Sequence, residues 1–128
     1  MQSTNRFREQ IVMSIAYWIV AGLTALMFFG AGSMKIISSK EKLLTNERMG
    51  WAADFTAQQI KLIGLAEVLG ALGLILPHIF SVAEGLAKAA AVGLFLIMLG
   101  ATNTHRKRKE PFFPPLILGV IALITLFL

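Results

Sequence analysis

Long apolar segments separated by short polar connections dominate the chain. The first runs from Ile11 to Met34 and has 24 residues without a charged side chain. As a helix rising about 1.5 Å per residue it is about 36 Å long, which is enough to cross a hydrocarbon core of about 30 Å. Arg6 and Arg8 precede it as in a signal peptide, but the apolar part of a cleaved signal is usually only about 7 to 15 residues long. We therefore predict a retained membrane-spanning helix over residues 11–34.

Three further apolar segments follow with the same character. They predict helices over about residues 58–76, where Pro77 is expected to stop the helix, over about 82–104, and over about 112–128. Pro111, Pro114 and Pro115 are compatible with the last helix only in or before its opening turn, because proline has no N–H to donate. The predicted fold class is an all-α polytopic membrane protein. We expect one membrane domain over residues 1–128, a four-transmembrane-helix up-and-down bundle.

The connection between the first two predicted helices, residues 35–57, has a pattern of its own. Ser38 followed by Glu41 has the spacing of a capping box, which marks the start of a helix. Three apolar side chains fall on one side of a continued helix: Leu44, Trp51 and Phe55. We predict a short interfacial helix or turn in the headgroup region with Trp51 as its anchor. An irregular loop whose tryptophan covers the end of the bundle is the alternative.

Small residues recur at helix-packing spacing in three of the predicted helices. They are Gly22, Ala25 and Gly32 in the first, Gly64, Gly70 and Ala71 in the second, and Gly85, Ala89 and Gly93 in the third. Helices in lipid associate through close backbone approach, so these stripes should contact protein, either within the chain or in a neighbouring subunit.

Composition excludes several classes of protein. Hydrophobic residues make up 56% of the chain and charged residues 15%, which is too apolar for a small soluble domain. The chain has no cysteine, so disulfides, thiolate nucleophiles and sulfur-ligated metals are excluded. The net charge of +5 does not indicate nucleic-acid binding, because the basic residues lie mostly between apolar segments and do not form a stripe on a soluble surface.

The basic residues instead predict an orientation. Eight lie in two connections on one side of the bundle: Lys35, Lys40, Lys42, Arg48, Arg106, Lys107, Arg108 and Lys109. The opposite side, with both termini, carries Arg6 and Arg8, or three basic residues if Lys88 is included. The positive-inside rule then favours both termini outside, in what we expect to be a bacterial cytoplasmic membrane.

Glu67 is the main candidate for function. It lies seven residues after Ile60, about 10 Å into the predicted second helix, where an uncompensated charge costs several kcal/mol. Three interpretations are open: a structural lock that bonds to another helix, a ligand or proton site, and an interface with a partner.

Four other polar residues are expected at the same end of the bundle. They are Lys35, Lys61, Asn103 and His105, and together they predict the mouth of a polar pocket above Glu67. The alternatives are lysines that reach to the headgroups, an asparagine that bonds to the nearby backbone, and a solvated histidine. His78 follows Pro77 at the opposite end, so the two histidines cannot share a metal or a haem within one subunit, and we predict no metal site.

Four segments together resemble a known family. They are FFGAGSMK (28–35), MGWAADF (49–55), LIGLAEVLGALGLILP (62–77) and GATNTHRKRKE (100–110), and in order and spacing they resemble the small DoxX-like integral membrane proteins from Tyr17 onward. The resemblance implies a four-helix membrane protein in which Lys35, Trp51 and Glu67 match motif positions. Some relatives are associated with quinone-linked sulfur oxidation or oxidative-stress complexes, and others with the assembly of membrane receptors or cargo.

Two functional hypotheses of different classes follow, with a third behind them. The first is an accessory bundle without catalysis of its own, whose Glu67 cluster binds a quinone, a lipid or a partner helix, and in which a homo-oligomer or a membrane partner is possible. The second is a subunit of a redox complex in which Glu67 relays a proton to quinone while a partner protein supplies electrons, since we predict no intrinsic cofactor. The third is a small transporter or channel formed by an oligomer. Whether the chain is an enzyme stays open, although the isolated chain is not expected to be one.

Overall fold

The computed structural model describes residues 2–82 and 84–128, and in this part of the chain every regular element is helical. The elements are α1 (Gln2–Ile37), α2 (Lys40–Leu44), a 3-10 segment (Glu47–Asp54), α3 (Ala57–Ile79), α4 (Glu84–Lys107) and α5 (Phe113–Ile124), which continues as a 3-10 turn (Thr125–Phe127). The all-α prediction is confirmed. Helices α1, α3 and α4 are long and apolar enough to cross a membrane, whereas α5 with its extension is a shorter apolar helix. The count of four spans therefore stays a prediction.

Helix α1 is longer at both ends than the 11–34 segment that its apolar residues predict. It begins at Gln2 and ends at Ile37, because no glycine or proline interrupts the polar residues before Ile11 and nothing there breaks the helical hydrogen bonds. Residues 2–15 are exposed, and Tyr17 is the first buried residue. About 22 Å of helix therefore extends beyond Tyr17 without packing on the rest of the chain.

Close glycine contacts set the packing of α1 on α3. A Cβ atom placed on Gly32 would lie 2.5 Å from the carbonyl oxygen of Gly64, and one on Gly64 would lie 2.6 Å from the carbonyl oxygen of Gly32. At this crossing the two backbones touch, as the small residues predicted. Because Tyr17 contacts Leu74 further along α3, the two helices run antiparallel.

Helix α3 also packs on α4 through glycines. A Cβ atom on Gly70 would lie 2.6 Å from the side chain of Leu94, and one on Gly73 would lie 2.8 Å from that of Ala90. The core of the bundle draws on α1, α3, α4 and α5: Ala25, Phe28, Ala71, Leu74, Ala91, Leu94, Met98 and Ala122. The arrangement is consistent with the predicted up-and-down order of these helices.

The predicted packing stripe of α4 does not face the other helices of the chain, and its contact with a neighbouring subunit stays a prediction. Gly85 and Gly93 have no neighbour within 4 Å of an added Cβ, and the same holds for Gly22 in α1. The buried face of α4 carries instead Ala87, Ala91, Leu94 and Met98. Two stripes of suitable spacing lie on roughly opposite faces of this helix, and small size alone does not decide which of them is covered.

The prolines behave differently in α3 and α5. Pro77 does not stop α3, which continues to Ile79; the predicted end at residue 76 is wrong because a proline in the last turn removes only one hydrogen bond from the helix. Pro114 and Pro115 lie in the first turn of α5, as predicted.

The connection between α1 and α3 is folded and lies against the end of the bundle. Ser39, and not the predicted Ser38, caps α2 by accepting a hydrogen bond from the backbone N–H of Lys42 at 3.1 Å. Leu43 packs with Ala52 and Ile60, whereas Leu44 is 42% exposed. The prediction for Leu44 is wrong because the chain leaves the helical path after α2, so the spacing to Trp51 does not follow one continuous helix.

Candidate functional site

Glu67 is buried at the contact between α1 and α3. It is about 15 Å from the start of α3, near the middle of that helix, and is 1% exposed. Its Oε1 accepts a hydrogen bond from Lys35 Nζ at 2.7 Å. An added Cβ on Gly64 would lie 2.8 Å from the Lys35 Cβ, and one on Gly32 would lie 3.1 Å from the Glu67 Cβ. The glycine crossing therefore brings the two backbones close enough for a direct ion pair.

This ion pair compensates the burial of the carboxylate. A charge in the apolar part of a membrane is costly unless it is paired or hydrogen-bonded. Among the residues that the structure describes, no buried side-chain nitrogen or oxygen lacks a hydrogen-bond partner. The contact joins residues 32 positions apart in sequence, so it fixes α1 against α3, and the cavities described below do not include Glu67 in their walls.

Trp51 adds a third member to this cluster. Lys35 Nζ lies 5.5 Å from the centroid of the Trp51 ring, within the range of a cation–π contact. The ring packs edge-on against Phe55, with centroids 6.0 Å apart. The ammonium group is held between carboxylate and ring, and the Lys35 side chain as a whole is 12% exposed. We call Glu67, Lys35 and Trp51 the lysine cluster.

Lys61 lies elsewhere. Its Nζ donates a hydrogen bond to the backbone carbonyl of Ile36 at 2.7 Å, where it satisfies one of the free carbonyls at the end of α1. Glu67 is six positions after Lys61, which places the two side chains about 120° apart around a helix. The two side chains therefore leave α3 on different faces.

Asn103 and His105 also stay away from Glu67. Asn103 is exposed, and its side-chain oxygen accepts from Arg106 at 3.5 Å. The Nδ1 atom of His105 lies 2.8 Å from Glu110 Oε2. Of the five residues predicted to form the polar pocket, only Glu67 and Lys35 are in contact. Trp51 lies beside Lys35.

A second set of contacts ties the connection between α4 and α5 to the 3-10 segment that carries Trp51. Arg108 donates to Asp54 Oδ1 at 3.0 Å and to Glu110 Oε1 at 2.8 Å. Gly50 lies beneath the guanidinium, since an added Cβ would be 3.2 Å from Arg108 Nη2. We call Asp54, Arg108, Glu110 and His105 the polar latch.

The latch shifts the titration of its own members. The hydrogen bond from Arg108 lowers the pKa of the Glu110 carboxyl below its ordinary value of 4.5, and the contact with His105 lowers it further. The bonds to Glu110 and Asp54 raise the pKa of Arg108. The sequence pattern does not predict this set, because basic residues 106–109 next to an apolar segment indicate only an orientation, and because Asp54 is 54 positions away from Arg108.

The lysine cluster can recognise a hydrogen-bond acceptor. A lysine ammonium has three donors and no acceptor, and one of its hydrogens is directed to Glu67. A ligand with a carbonyl, carboxylate or phosphate oxygen could accept another. The described residues contain no group of three histidine, aspartate or glutamate side chains placed to hold a metal ion.

An apolar groove lies on the outer side of the contact between α1 and α3. Its volume is about 480 Å³, and it is lined by Ile36, Ala57, Gln58, Lys61, Leu62 and Leu65. Ile36 directly follows Lys35 in the chain, but no residue of the lysine cluster lines the groove. The Lys61 ammonium is bonded to the carbonyl oxygen of Ile36.

Comparison with known proteins identifies the family. No curated protein and no solved structure matches the chain. The model of the DoxX-like family matches residues 19–128, which include the lysine cluster, the polar latch and nearly all of the bundle. The match covers most of the length over which the four sequence segments suggested a relationship, and the chain belongs to the DoxX-like family.

Proposed function

We propose that this protein is an accessory membrane protein that binds an amphipathic molecule of the bilayer, a quinone or a lipid, at the lysine cluster. The observation that carries the proposal is the position of Lys35 Nζ, 2.7 Å from Glu67 Oε1 and 5.5 Å from the Trp51 ring centroid. The carboxylate and the ring hold the ammonium in place, so binding a ligand oxygen costs little further ordering of the side chain.

The neighbouring groove supports an amphipathic ligand in particular. Its wall is almost entirely apolar, and one of its residues, Ile36, directly follows Lys35 in the chain. A ligand whose head contacts Lys35 and whose chain lies along Ile36 and Leu62 would use both surfaces. Pockets for small ligands commonly combine apolar walls with a few fixed polar groups.

In this proposal the ion pair has two roles. It holds α1 to α3, and it positions the cation that the ligand contacts. A pure lock would have the first role alone, and a partner helix could occupy the same surface in place of a small molecule.

Ligand binding by purified protein distinguishes these cases. The protein would be reconstituted in nanodiscs with Trp18→Phe, so that Trp51 is the remaining tryptophan, and titrated with a short-chain ubiquinone analogue that quenches its fluorescence. We expect Lys35→Met to weaken binding about tenfold or more, the equivalent of one hydrogen bond from a charged group. Glu67→Gln should keep the fold and also weaken binding, because the ammonium group is then no longer fixed.

Lys42→Gln is the matched control, since this lysine of the same connection is exposed and its substitution should leave binding unchanged. If Lys35→Met and Glu67→Gln proteins that remain folded bind the quinone like the unsubstituted protein, the pair is a lock only and the proposal is wrong. Recovery of the quenched fluorescence when a short-chain anionic lipid displaces the quinone would identify lipid as a ligand of the same site.

The redox hypothesis uses the same carboxylate and is tested separately. It requires that quinone reduction appears only when an electron-donating partner protein is added, and that Glu67→Ala abolishes it. Reduction that persists in this variant would exclude a proton relay through Glu67 and leave binding as the function.

A further inference from the structure

A second cavity lies at the opposite end of the bundle from the lysine cluster. Its volume is about 330 Å³. Polar side chains from each part of the bundle line its wall: Tyr17 of α1, His78 of α3, Lys88 of α4 and Thr125 of the turn that follows α5. Apolar side chains of the chain's last residues complete it, among them Leu126 and Phe127. The sequence predicts no metal site at His78 and no other function for this end of the bundle. No residue of the lysine cluster lines this cavity.

One wall of the cavity is rigid. Tyr17 is buried, and its hydroxyl donates a hydrogen bond to the carbonyl oxygen of Leu74 at 2.7 Å. The His78 ring lies on the Tyr17 ring with centroids 4.0 Å apart, and Trp18 meets His78 nearly edge-on at 6.3 Å. These ring contacts restrict the orientation of the His78 imidazole at the end of α3. A histidine at the end of an isolated helix would lack them and could rotate.

The polar groups of this wall can donate hydrogen bonds. Lys88 brings a cationic ammonium with three donors, and His78 brings at least one ring N–H in any protonation state. They come from consecutive helices and line the same cavity, where they would match a group with several acceptor oxygens and negative charge. A volume of about 330 Å³ is at the lower end of the range for ligand sites and suits a compact head group.

We infer that this cavity binds the anionic head of a membrane lipid, a carboxylate or phosphate, through Lys88 and His78. The cavity lies where α3 ends at Ile79 and α4 begins at Glu84, which is the level at which a lipid presents its head. Exposed apolar residues further along the helices, such as Val92, which is one turn after Lys88 and 40% exposed, would lie along the acyl chain. This site is distinct from the lysine cluster and does not depend on the proposed function.

Trp18 offers a local reporter, because it lies against His78. The protein with Trp51→Phe would be reconstituted in phosphatidylcholine vesicles that contain increasing fractions of dibrominated phosphatidic acid, and in a parallel series dibrominated phosphatidylcholine. Bromine quenches tryptophan on contact, so the two series compare an anionic and a zwitterionic head with the same chain. We expect about fivefold stronger binding of the anionic lipid next to Trp18, the effect of one basic residue near a membrane surface.

Lys88→Gln should reduce this preference to about one. Lys107→Gln, at the other end of α4 and also exposed, is the matched control and should retain the preference. Circular dichroism and gel filtration of both variants confirm that they are folded. Equal quenching by the two lipids in the unsubstituted protein, or a preference that Lys88→Gln leaves unchanged in a folded protein, would overturn the inference.

Free phosphate distinguishes the two sources of the same chemistry. Millimolar inorganic phosphate that reverses quenching by phosphatidic acid would support a site that takes the anion itself. Quenching that phosphate does not reverse, with the preference still lost in Lys88→Gln, would support a site that needs the acyl chain as well.

Discussion

Lys35 Nζ and Glu67 Oε1 are 2.7 Å apart, although the residues are 32 positions apart in sequence. The contact crosses from α1 to α3 where Gly32 and Gly64 bring the two backbones together. A buried charge is therefore balanced only as long as the helices keep this spacing. The ion pair and the glycine crossing depend on each other.

Removing one member of the pair should destabilise the protein more than removing both. Lys35→Met leaves the Glu67 carboxylate buried without a partner, and we expect a loss of about 3 kcal/mol in the free energy of unfolding. In Lys35→Met/Glu67→Leu the uncompensated charge is gone, and most of that loss should be recovered. Unfolding in mixed micelles by titration with dodecyl sulfate measures both values.

Lys42→Met serves as the control for the loss of an exposed lysine and should change stability little. If the change in the double variant equals the sum of the changes measured in Lys35→Met and in Glu67→Leu alone, the residues do not interact energetically and the ion pair is not a lock.

Adding a methyl group at the helix crossing should separate α1 from α3. In Gly32→Ala the new Cβ would lie 2.5 Å from a backbone oxygen, which cannot rotate away as a side chain can. We expect a loss of roughly 1 to 3 kcal/mol. Gly30→Ala, two residues earlier, meets no atom within 4 Å and should be neutral or slightly stabilising, since alanine favours a helix by up to about 1 kcal/mol over glycine. Equal effects of the two substitutions would show that the crossing is looser than the structure has it.

The all-helical fold and the presence of a partner for Glu67 can be predicted from the sequence. Uncharged segments of helical length predict the long apolar helices, and a carboxylate inside one of them requires a partner. Lys35 lies at the end of the preceding apolar segment, so it was among the partners that the pattern offered.

The remaining features of the site and of the packing depend on which face of a helix each side chain occupies and on contacts between residues that are distant in sequence. Lys61 and Glu67 share a helix, but their side chains leave it about 120° apart, and Lys61 donates to Ile36 and not to the carboxylate. The two possible stripes of α4 have equally suitable spacing, and only the shape of the neighbouring helix decides between them. The contact between Asp54 and Arg108 joins two connections, and no periodic pattern relates residues in separate connections.

Lowering the pH should weaken the contacts of Glu110 in the polar latch. The pKa of Glu110 is lowered in the folded protein by Arg108 and His105, so its stabilising effect is complete above its ordinary value of 4.5 and is lost as the pH falls through the lowered value. Arg108, which also binds Asp54 of the 3-10 segment, then loses its second charged partner, and the environment of Trp51 should change. In a Trp18→Phe protein the emission maximum of Trp51 should move only below about pH 4.5.

Glu110→Gln removes the titrating group, so the emission of this variant should already be shifted at neutral pH and the acid step should be smaller. Glu41→Gln, an exposed carboxylate of α2, is the control and should retain the step. An acid step of unchanged size in Glu110→Gln would assign the transition to another carboxylate.

The distribution of basic residues predicts that both termini lie outside the cytoplasm. The chain contains no cysteine, so a single introduced thiol reports the side on which it lies. Ser3→Cys, near the exposed start of α1, should react with a membrane-impermeant maleimide added to intact cells. Thr45→Cys, exposed in the connection between α1 and α3, should react only after the membrane is permeabilised, because this connection carries four of the eight basic residues that the positive-inside rule retains in the cytoplasm. The reverse pattern would place the lysine cluster at the outer surface, and its ligand would then come from the outer leaflet of the bilayer.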